Sequence, residues 1–539
     1  MLLWPQGHGI VVLWLTSAGE RMSQAKLLEF MGRPEAYDPV PATVECIETH
    51  ASYVFLAGDF AYKVKRAVKY PFLDFSTLEK RHQACLNELR LNRRTAAQLY
   101  VEVVPVTRQP GGDFRLGAGG EGAPVEWVLV MRRFAQGGLY DRMAAEGRLA
   151  QSAMAPLAVE ISGFHAAADR ILTDDQAVVP LEGIIAEHEA VVAANPALFP
   201  PGRAQELAGR TRASFSGLVP LLRRRAQDGY VRHCHGDLHL RNIVEIDGRP
   251  VLFDALEFDD RLATIDVLYD LAFLLMDLGK RGLGGHANAL LNGYLDNSAT
   301  GNLLGLATLP LFLSLRAMVR AKVEMLRGMS TAEPGEAENA HEEARRYFDL
   351  AYDFLAPSRP HLVAVSGLSG SGKSAVARAI APGFGGFPGA VIVRSDVERK
   401  CLFGIAPEAR LAAEAYTQSV SDQVYALCRK RAGFALAAGR SVILDAVHAK
   451  PEERAVVRAL AQTHGAAFTG LWLEAPAEVL RQRVSQRVGD ASDATPDVVD
   501  AQLGYDLGVL DFCRINASGP FDEVAARCLE RIRAQNFAA

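Results

Sequence analysis

The chain has 539 residues, 49% of them hydrophobic and 22% charged, with a formal net charge of −5. That length allows roughly three or four structural units with ample apolar content for their cores. The acidic balance excludes a general attraction to nucleic acid or anionic membrane, although it leaves room for a local basic groove. Seven cysteines, at 46, 85, 234, 401, 428, 513 and 528, form no CxxC pair, which fits a reduced cytoplasm and argues against a disulfide framework or a zinc site.

In chain order, Ile10–Leu15 is the apolar run near the start. It is too short to span a membrane and no basic region precedes it, so neither an anchor nor a signal peptide is expected. Residues 1–23 read as an extension, with Met22 a second possible start. Ser52–Leu56 and Phe60–Lys65 flank Ala-Gly-Asp and read as a β-hairpin. Ser76-Thr-Leu-Glu79 reads as a capping box that opens a helix running to about Leu99. Gly111–Gly122 reads as a flexible surface loop, Val125–Met131 as a strand, and Arg132–Gly138 as a hinge-like exit from it. Helical patterns then dominate to about residue 225, and there are no internal repeats.

The stretch Val231–Asp260 carries the first chemistry. Ile243–Ile246 and Pro250–Phe253 flank Asp247-Gly248, the strongest short hairpin signal. Closing that hairpin sets Asn242 opposite Phe253–Asp254, so an amide and a carboxylate can share a Mg²⁺, which favours oxygen ligands and substrate phosphates. Asp237 lies five positions before Asn242, the spacing of a kinase catalytic loop, where it can accept the proton of an attacking hydroxyl. Turn capping explains a lone His-Gly-Asp triplet; it does not explain the spaced Asn and the hairpin-delivered Asp together.

His235-Gly-Asp-Leu-His-Leu-Arg-Asn242 with Asp254 resembles the aminoglycoside phosphotransferase and choline kinase superfamily, whose loop reads HGDxxxxN. The resemblance implies an α+β protein-kinase-like domain over 24–355, with Asp237 as catalytic base and Asn242 and Asp254 as Mg²⁺ ligands. It also implies a third-strand lysine paired to a helix Glu, assigned to Lys63 and Glu88; Lys65 shares the face of Lys63, so a slip of two residues stays open. Glu88 reads equally as a solvated helix residue paired with Arg90–Arg94. Where a glycine-rich loop would cover the phosphates the chain has Glu48-Thr-His-Ala-Ser52, leaving Ser52 as the candidate phosphate contact. Asp266 and Asp270 read as loop supports or helix caps, and Glu257 and Asp259 as metal helpers or turn residues.

Glu336–Phe354 reads as a charged amphipathic helix, and Ala356-Pro-Ser-Arg-Pro360 after it as the boundary to a second domain, 356–539. There, strand Leu362–Val365, Gly367-Leu-Ser-Gly-Ser-Gly-Lys-Ser374 and helix Ala375–Ile380 make the strand–loop–helix context of a Walker-type phosphate loop. Gly367, Gly370, Ser371 and Gly372 turn backbone N–H groups toward phosphate, Lys373 reaches the β/γ-phosphates, and the Ser374 hydroxyl ligates Mg²⁺. Strands at Ala390–Val393, Ser441–Leu444 and Phe468–Leu473 alternate with helices across 407–438, Pro451–Thr463 and Pro476–Val488, which predicts an α/β P-loop NTPase domain with a parallel sheet.

Asp445, past a strand end, sits where a metal-binding acid belongs; Asp396 reads as an aid to a substrate hydroxyl, as a helix N-cap, or as both. Arg483 and Arg487 are like charges at i,i+4 that either clamp a shared anion such as ATP or lie solvated, whereas Glu478 accounts for Arg481. Asp490–Ala494 reads as a mobile segment; His448 and Cys401 read as structural. This region resembles the small P-loop kinases of the gluconate, adenylylsulfate and zeta-toxin type and the polynucleotide 5′-hydroxyl kinases. The whole chain resembles bacterial fusions of an aminoglycoside-phosphotransferase-like domain with a P-loop ATPase or kinase domain. That resemblance implies a cytoplasmic, bifunctional phosphotransferase using ATP and Mg²⁺ on a small hydroxylated acceptor, with no membrane partner. The alternatives are a regulatory first domain and a second domain acting on nucleic-acid 5′-hydroxyl ends.

Overall fold

The computed structural model describes residues 18–49, 51–70, 73–117, 122–171, 175–331, 333–406, 409–487 and 490–536. Ile10–Leu15 and most of the expected extension lie outside the described residues; a helix begins at Ala18 and runs to Met31. The chain folds into two compact units, Met1–Ala208 with Val219–Asp277, and Gly209–Leu218 with Leu278–Ala539. They divide upstream of the proline-rich connector, because the helices Gly284–Asp296, Leu309–Ser330 and Pro334–Phe354 pack in the second unit. Among the described residues one stretch, Gly301–Ser330, is long and apolar enough to cross a membrane, and 78% of its most apolar window is buried inside the protein.

The first unit is built on a six-stranded antiparallel sheet in the order Val44–Glu48, Ser52–Ala57, Phe60–Lys65, Pro124–Arg132, Tyr100–Arg108, Phe114–Leu116. Successive side chains alternate faces, so Phe55, Val64 and Val128 join one core with Leu27 and Met31, while Leu56, Ala61 and Leu129 join another with Cys85 of the helix Leu78–Ala96. That helix starts one residue later than expected. Thr77 is its N-cap, accepting from the Lys80 N–H, because the Ser76 hydroxyl is engaged by Asp74 at 2.5 Å. The Gly111–Gly122 stretch is not all loop either: Phe114–Leu116 pairs with Val106–Arg108.

The Asp247-Gly248 hairpin forms as expected. Both residues have positive φ, 50° and 71°, as the twist-matching two-residue turn requires. Ile243 pairs with Leu252, and the Phe253 N–H donates to the Asn242 carbonyl at 3.0 Å.

The second unit centres on a five-stranded parallel sheet in the order Val391–Arg394, Val442–Asp445, His361–Ser366, Ala467–Glu474, Cys513–Asn516. Leu362 to Val365 are buried without alternation, because helices cover both faces. The edge strand Val391–Arg394 is closed by side chains instead of another strand. Asn292 accepts the Ile392 N–H at 2.7 Å and donates to the Ala390 carbonyl at 3.2 Å, and Asn288 donates to Ala390 and Pro388. Asn292→Ala leaves a buried N–H without an acceptor, so the expected cost is about 1–3 kcal/mol. Urea unfolding of the full chain checks this, with the exposed Asn297→Ala as a control that leaves the midpoint in place.

Candidate active sites

In the first unit the strand Phe60–Lys65 and the helix Leu78–Ala96 bring two lysines onto one acid. Lys63 Nζ lies 2.7 Å from Glu88 Oε1 and 2.7 Å from Asp254 Oδ1. Lys65 Nζ lies 2.5 Å from Glu88 Oε2 and also pairs with Glu257. Glu88 is fully buried, so it is no solvated helix residue. Both lysines of the shared strand face reach it, and Lys63 is the one that also reaches Asp254. Burial pulls the Lys63 ammonium down, but Asp254, Glu88 and Glu257 carry it well above its ordinary value. Burial pushes the Asp254 carboxyl up, and Lys63 and Lys65 outweigh that, leaving it below its usual range. Lys63 and Asp254 thus favour each other's charged forms. Glu257 is a part-buried ion-pair partner of Lys65, and Asp259 caps a helix turn while pairing with the exposed Arg261.

Asp254 adopts a left-handed φ of 60°, and side chains distant in sequence hold it there. Its N–H donates to the Tyr100 hydroxyl at 3.0 Å, and the next N–H, of Ala255, donates to Asn92 Oδ1 at 2.8 Å. Sequence reasoning missed both holders; the one available signal was Asn92, one helical turn past Glu88.

The loop 235–242 is fastened by the helix Val267–Lys280. Asp270 accepts the N–H groups of His235 and Gly236 at 3.0 and 2.9 Å, and Asp277 accepts that of Leu240 at 3.0 Å. Asp270 is thus a loop support, and Asp266 is a helix cap that accepts the Leu268 N–H as well as a forked pair from Arg225. Burial pulls the His235 imidazole down from its ordinary value, and its Nε2 lies 3.0 Å from the Phe253 carbonyl. The loop presents Asp237 with its side chain 40% exposed, and Asn242 Nδ2 donates to Asp237 Oδ2 at 3.1 Å. That leaves the Asn242 side-chain amide oxygen (Oδ1) and the Asp254 carboxylate as hard oxygen donors, a set that fits Mg²⁺. Ser52 is otherwise placed than expected. It is 2% exposed, with its N–H and carbonyl both bonded to Thr49 Oγ1, so it offers no open hydroxyl.

In the second unit the phosphate loop has the backbone its glycines permit. Gly367, Gly370 and Gly372 have φ of 138°, 84° and 90°. A Cβ on Gly367 would lie 2.3 Å from the Leu473 carbonyl, and one on Gly370 2.5 Å from that of Leu480. The buried Ser371 hydroxyl oxygen has no hydrogen-bond partner, which suits a loop shaped for phosphate oxygens. Lys373 Nζ donates to the Leu368 carbonyl at 3.0 Å, and the Ser374 hydroxyl to Asp445 Oδ2 at 2.6 Å. Asp445 ends its strand beside the loop, so the hydroxyl and carboxylate can hold one Mg²⁺ between them.

Asp396 is the second residue of the helix Ser395–Leu402, not its N-cap, which is Arg394. Burial and then Asp445 push the Asp396 carboxyl up, bringing it closer to a proton-accepting range. Arg483 and Arg487 do not share an anion. The helix stops at Ser485, Arg483 donates to the Ala517 carbonyl at 2.9 Å, and Arg487 faces Asp490 at 3.7 Å. Arg481 pairs with Asp500, not Glu478. The segment 490–494 is held rather than loose: Asp490 accepts from Arg394 at 2.7 Å, and Asp493 accepts from Lys400 at 2.6 Å, Tyr416 at 2.5 Å and the Leu411 N–H at 3.0 Å.

His448 is packed behind the loop, with Nδ1 2.8 Å from the Ser366 hydroxyl. Burial, then Lys373 and Arg454, pull its imidazole down from 6.5 to about 3. The folded state thus resists a proton that the unfolded chain accepts below pH 6.5. Stability is unaffected above that pH and falls between pH 6.5 and about 3, by roughly 2 kcal/mol at pH 5. His448→Asn, which tolerates the residue's φ of 48°, flattens that limb in urea midpoints compared at pH 7 and pH 5.

Comparison with known proteins finds two family models, the first of which crosses the boundary at Asp277. A phosphotransferase enzyme family model matches residues 68–306 and an AAA domain model matches residues 362–505. The chain is 31% identical over 493 residues to an uncharacterized protein of Mycobacterium tuberculosis strain H37Rv, covering 88% of this chain and 93% of the relative. An uncharacterized protein of Mycobacterium bovis matches to the same extent. Among solved structures, a choline/ethanolamine kinase family protein from Mesorhizobium loti aligns at TM-score 0.38 and 14% identity, over 61% of this chain and 98% of that one. A gluconokinase from Sinorhizobium meliloti aligns at TM-score 0.25 and 21% identity, over 33% and 95%.

Proposed function

The chain belongs to the family of bacterial fusions that join a phosphotransferase-family kinase domain to a P-loop kinase-like domain, and on that premise we propose that each module, 24–355 and 356–539, is a Mg²⁺-dependent ATP site. The protein is a kinase-type phosphotransferase that takes ATP as substrate and a small molecule as acceptor. In our reading the first module moves the γ-phosphate of ATP to a hydroxyl of that acceptor. The observation that carries it is Lys63 held between Glu88 and Asp254, with Asp237 and Asn242 bonded to each other on the loop.

Lys63, kept charged by its neighbours, neutralises nucleotide phosphates while Glu88 fixes its direction. Asn242 and Asp254 would hold Mg²⁺, which would supply charge neutralisation at the transferring phosphoryl group. Asp237 accepts the acceptor's hydroxyl proton, and Asp270 and Asp277 keep the loop that carries it in place. In the second module Lys373 and Ser374 serve the phosphates and metal with Asp445, and Asp396 serves the acceptor side. The acidic net charge favours a small hydroxylated acceptor over nucleic-acid ends, and seven free cysteines fit a cytoplasmic setting. One observation favours a second reading, an ATP-binding regulatory first module: its glycine-free turn is closed by Thr49 and Ser52 on themselves.

Both readings meet their test in the full chain carrying Lys373→Ala, offered ATP and a panel of polyols, amino sugars and amino alcohols. Phosphoryl transfer should persist there and fall about 10²–10⁴-fold on adding Asp237→Asn, the range for removing a general base. ATP binding without transfer to any of the panel supports the regulatory reading. Full turnover with Asp237→Asn removes Asp237 from the base role.

A further inference from the structure

Arg394 has no part in the chemistry assigned so far, yet it lies at the centre of the second site's charges. It is the last residue of the strand Val391–Arg394 and pairs in register with Asp445, at the carboxyl end of the sheet where ligands of such sheets bind. Its side chain is 14% exposed. Nε lies 3.4 Å from Asp445 Oδ2 and makes no hydrogen bond, while Nη2 donates to Asp490 at 2.7 Å. Asp490 also faces Arg487 at 3.7 Å, so one carboxylate sits against two guanidinium groups.

We infer that Arg394 is a phosphate-contacting residue of the second ATP site, and that Asp490 is the counter-ion that phosphate displaces. The inference rests on the reading of Gly367–Ser374 as an ATP site. Four cations (Lys373, Arg378, Arg394, Arg487) and three acids (Asp396, Asp445, Asp490) are gathered there, a small positive excess without nucleotide. A polyphosphate suits that excess, and it competes for the same forked donors that a carboxylate uses. Of the three acids, Asp445 accepts from Ser374 at the end of its strand, and Asp396 belongs to the helix Ser395–Leu402. Asp490 alone lies on a connecting segment beyond the helix Ala477–Ser485. Its release need not detach that segment, because Asp493 stays fastened to Lys400, Tyr416 and the Leu411 N–H. Arg394 is left facing phosphate with the planar fork that suits it.

The test is calorimetric titration of the full chain with Mg²⁺ and the non-hydrolysable ATP analogue AMP-PNP, the second site being defined by what Lys373→Ala removes. Asp490→Asn should tighten that site about threefold to tenfold, since an internal competitor is gone. Arg394→Gln should weaken it about tenfold or more, and Arg394→Gln with Asp490→Asn should match Arg394→Gln alone. Arg394→Lys, which keeps the charge and loses the fork, should fall between, and it replaces the Gln variant if that chain melts early. Asp490→Asn weakening the site as much as Arg394→Gln would make Asp490 a brace and overturn the proposal. Wild-type affinity in a folded Arg394→Gln chain overturns it as well. A titration unchanged by Lys373→Ala defeats the ATP reading of the loop itself, and is thereby told apart from failure of the arginine assignment.

Discussion

A charge taken out of water needs a partner, and in the first unit that requirement is met at Glu88. Desolvating an ion costs several kcal/mol even after relaxation, so a fully buried carboxylate between two lysines is stable only as part of a closed set. Closing the set draws three elements together: the strand that bears Lys63 and Lys65, the helix that bears Glu88, and the turn that bears Asp254 and Glu257. Their relative placement follows from charge compensation as much as from apolar packing. The same helix supplies Asn92 to the Ala255 N–H, so its register decides both where Lys63 points and how Asp254 is aimed.

The second unit meets the same requirement by different means. Its phosphate loop offers mainly backbone N–H groups, which carry no net charge and which glycine lets turn toward one concavity suited to an anion. The few full charges, Lys373, Arg394 and Asp445 among them, sit at the mouth where strand ends converge. There each finds an oxygen or nitrogen partner within the loop or on the segment 490–493. The first unit therefore holds Lys63 by a buried acid, and the second holds Lys373 by a main-chain carbonyl.

What was legible in the residues was what neighbouring residues decide. The Asp247-Gly248 turn, the Asp237-to-Asn242 spacing and the loop Gly367–Ser374 depend on backbone preferences a few positions apart, and they fold as read. Glu88 was half legible: helix spacing placed it near the right face, yet Arg90–Arg94 offered an equally good local explanation. Arg483 and Arg487 misled because the i,i+4 argument needs a continuous helix, and this one ends at Ser485. The hold on Asp254 was invisible for another reason. Its partners Tyr100 and Asn92 are 154 and 163 positions away from the groups they bind, and no local pattern encodes such a meeting. Arg394 and Asp490, 96 positions apart, were hidden in the same way.

Edge strands are usually the least constrained part of a sheet, yet here the edge strand carries the residues with most to position. Asn292 pins the Ile392 N–H two residues before Arg394, and Arg431 holds Glu398 at 2.7 Å two residues after Asp396. Arg394 and Asp396 are thus fixed from the strand side and from the helix side, leaving only rotamer freedom between. The stretch 409–416 across from them is tied down mainly through Asp493 and through the Arg399 bond to the Ala415 carbonyl. Arg399 and Asp493 thus fasten that stretch as firmly as Asn292 and Arg431 fasten the strand and helix, so the charged groups are held by side-chain bonds and not by the sheet alone.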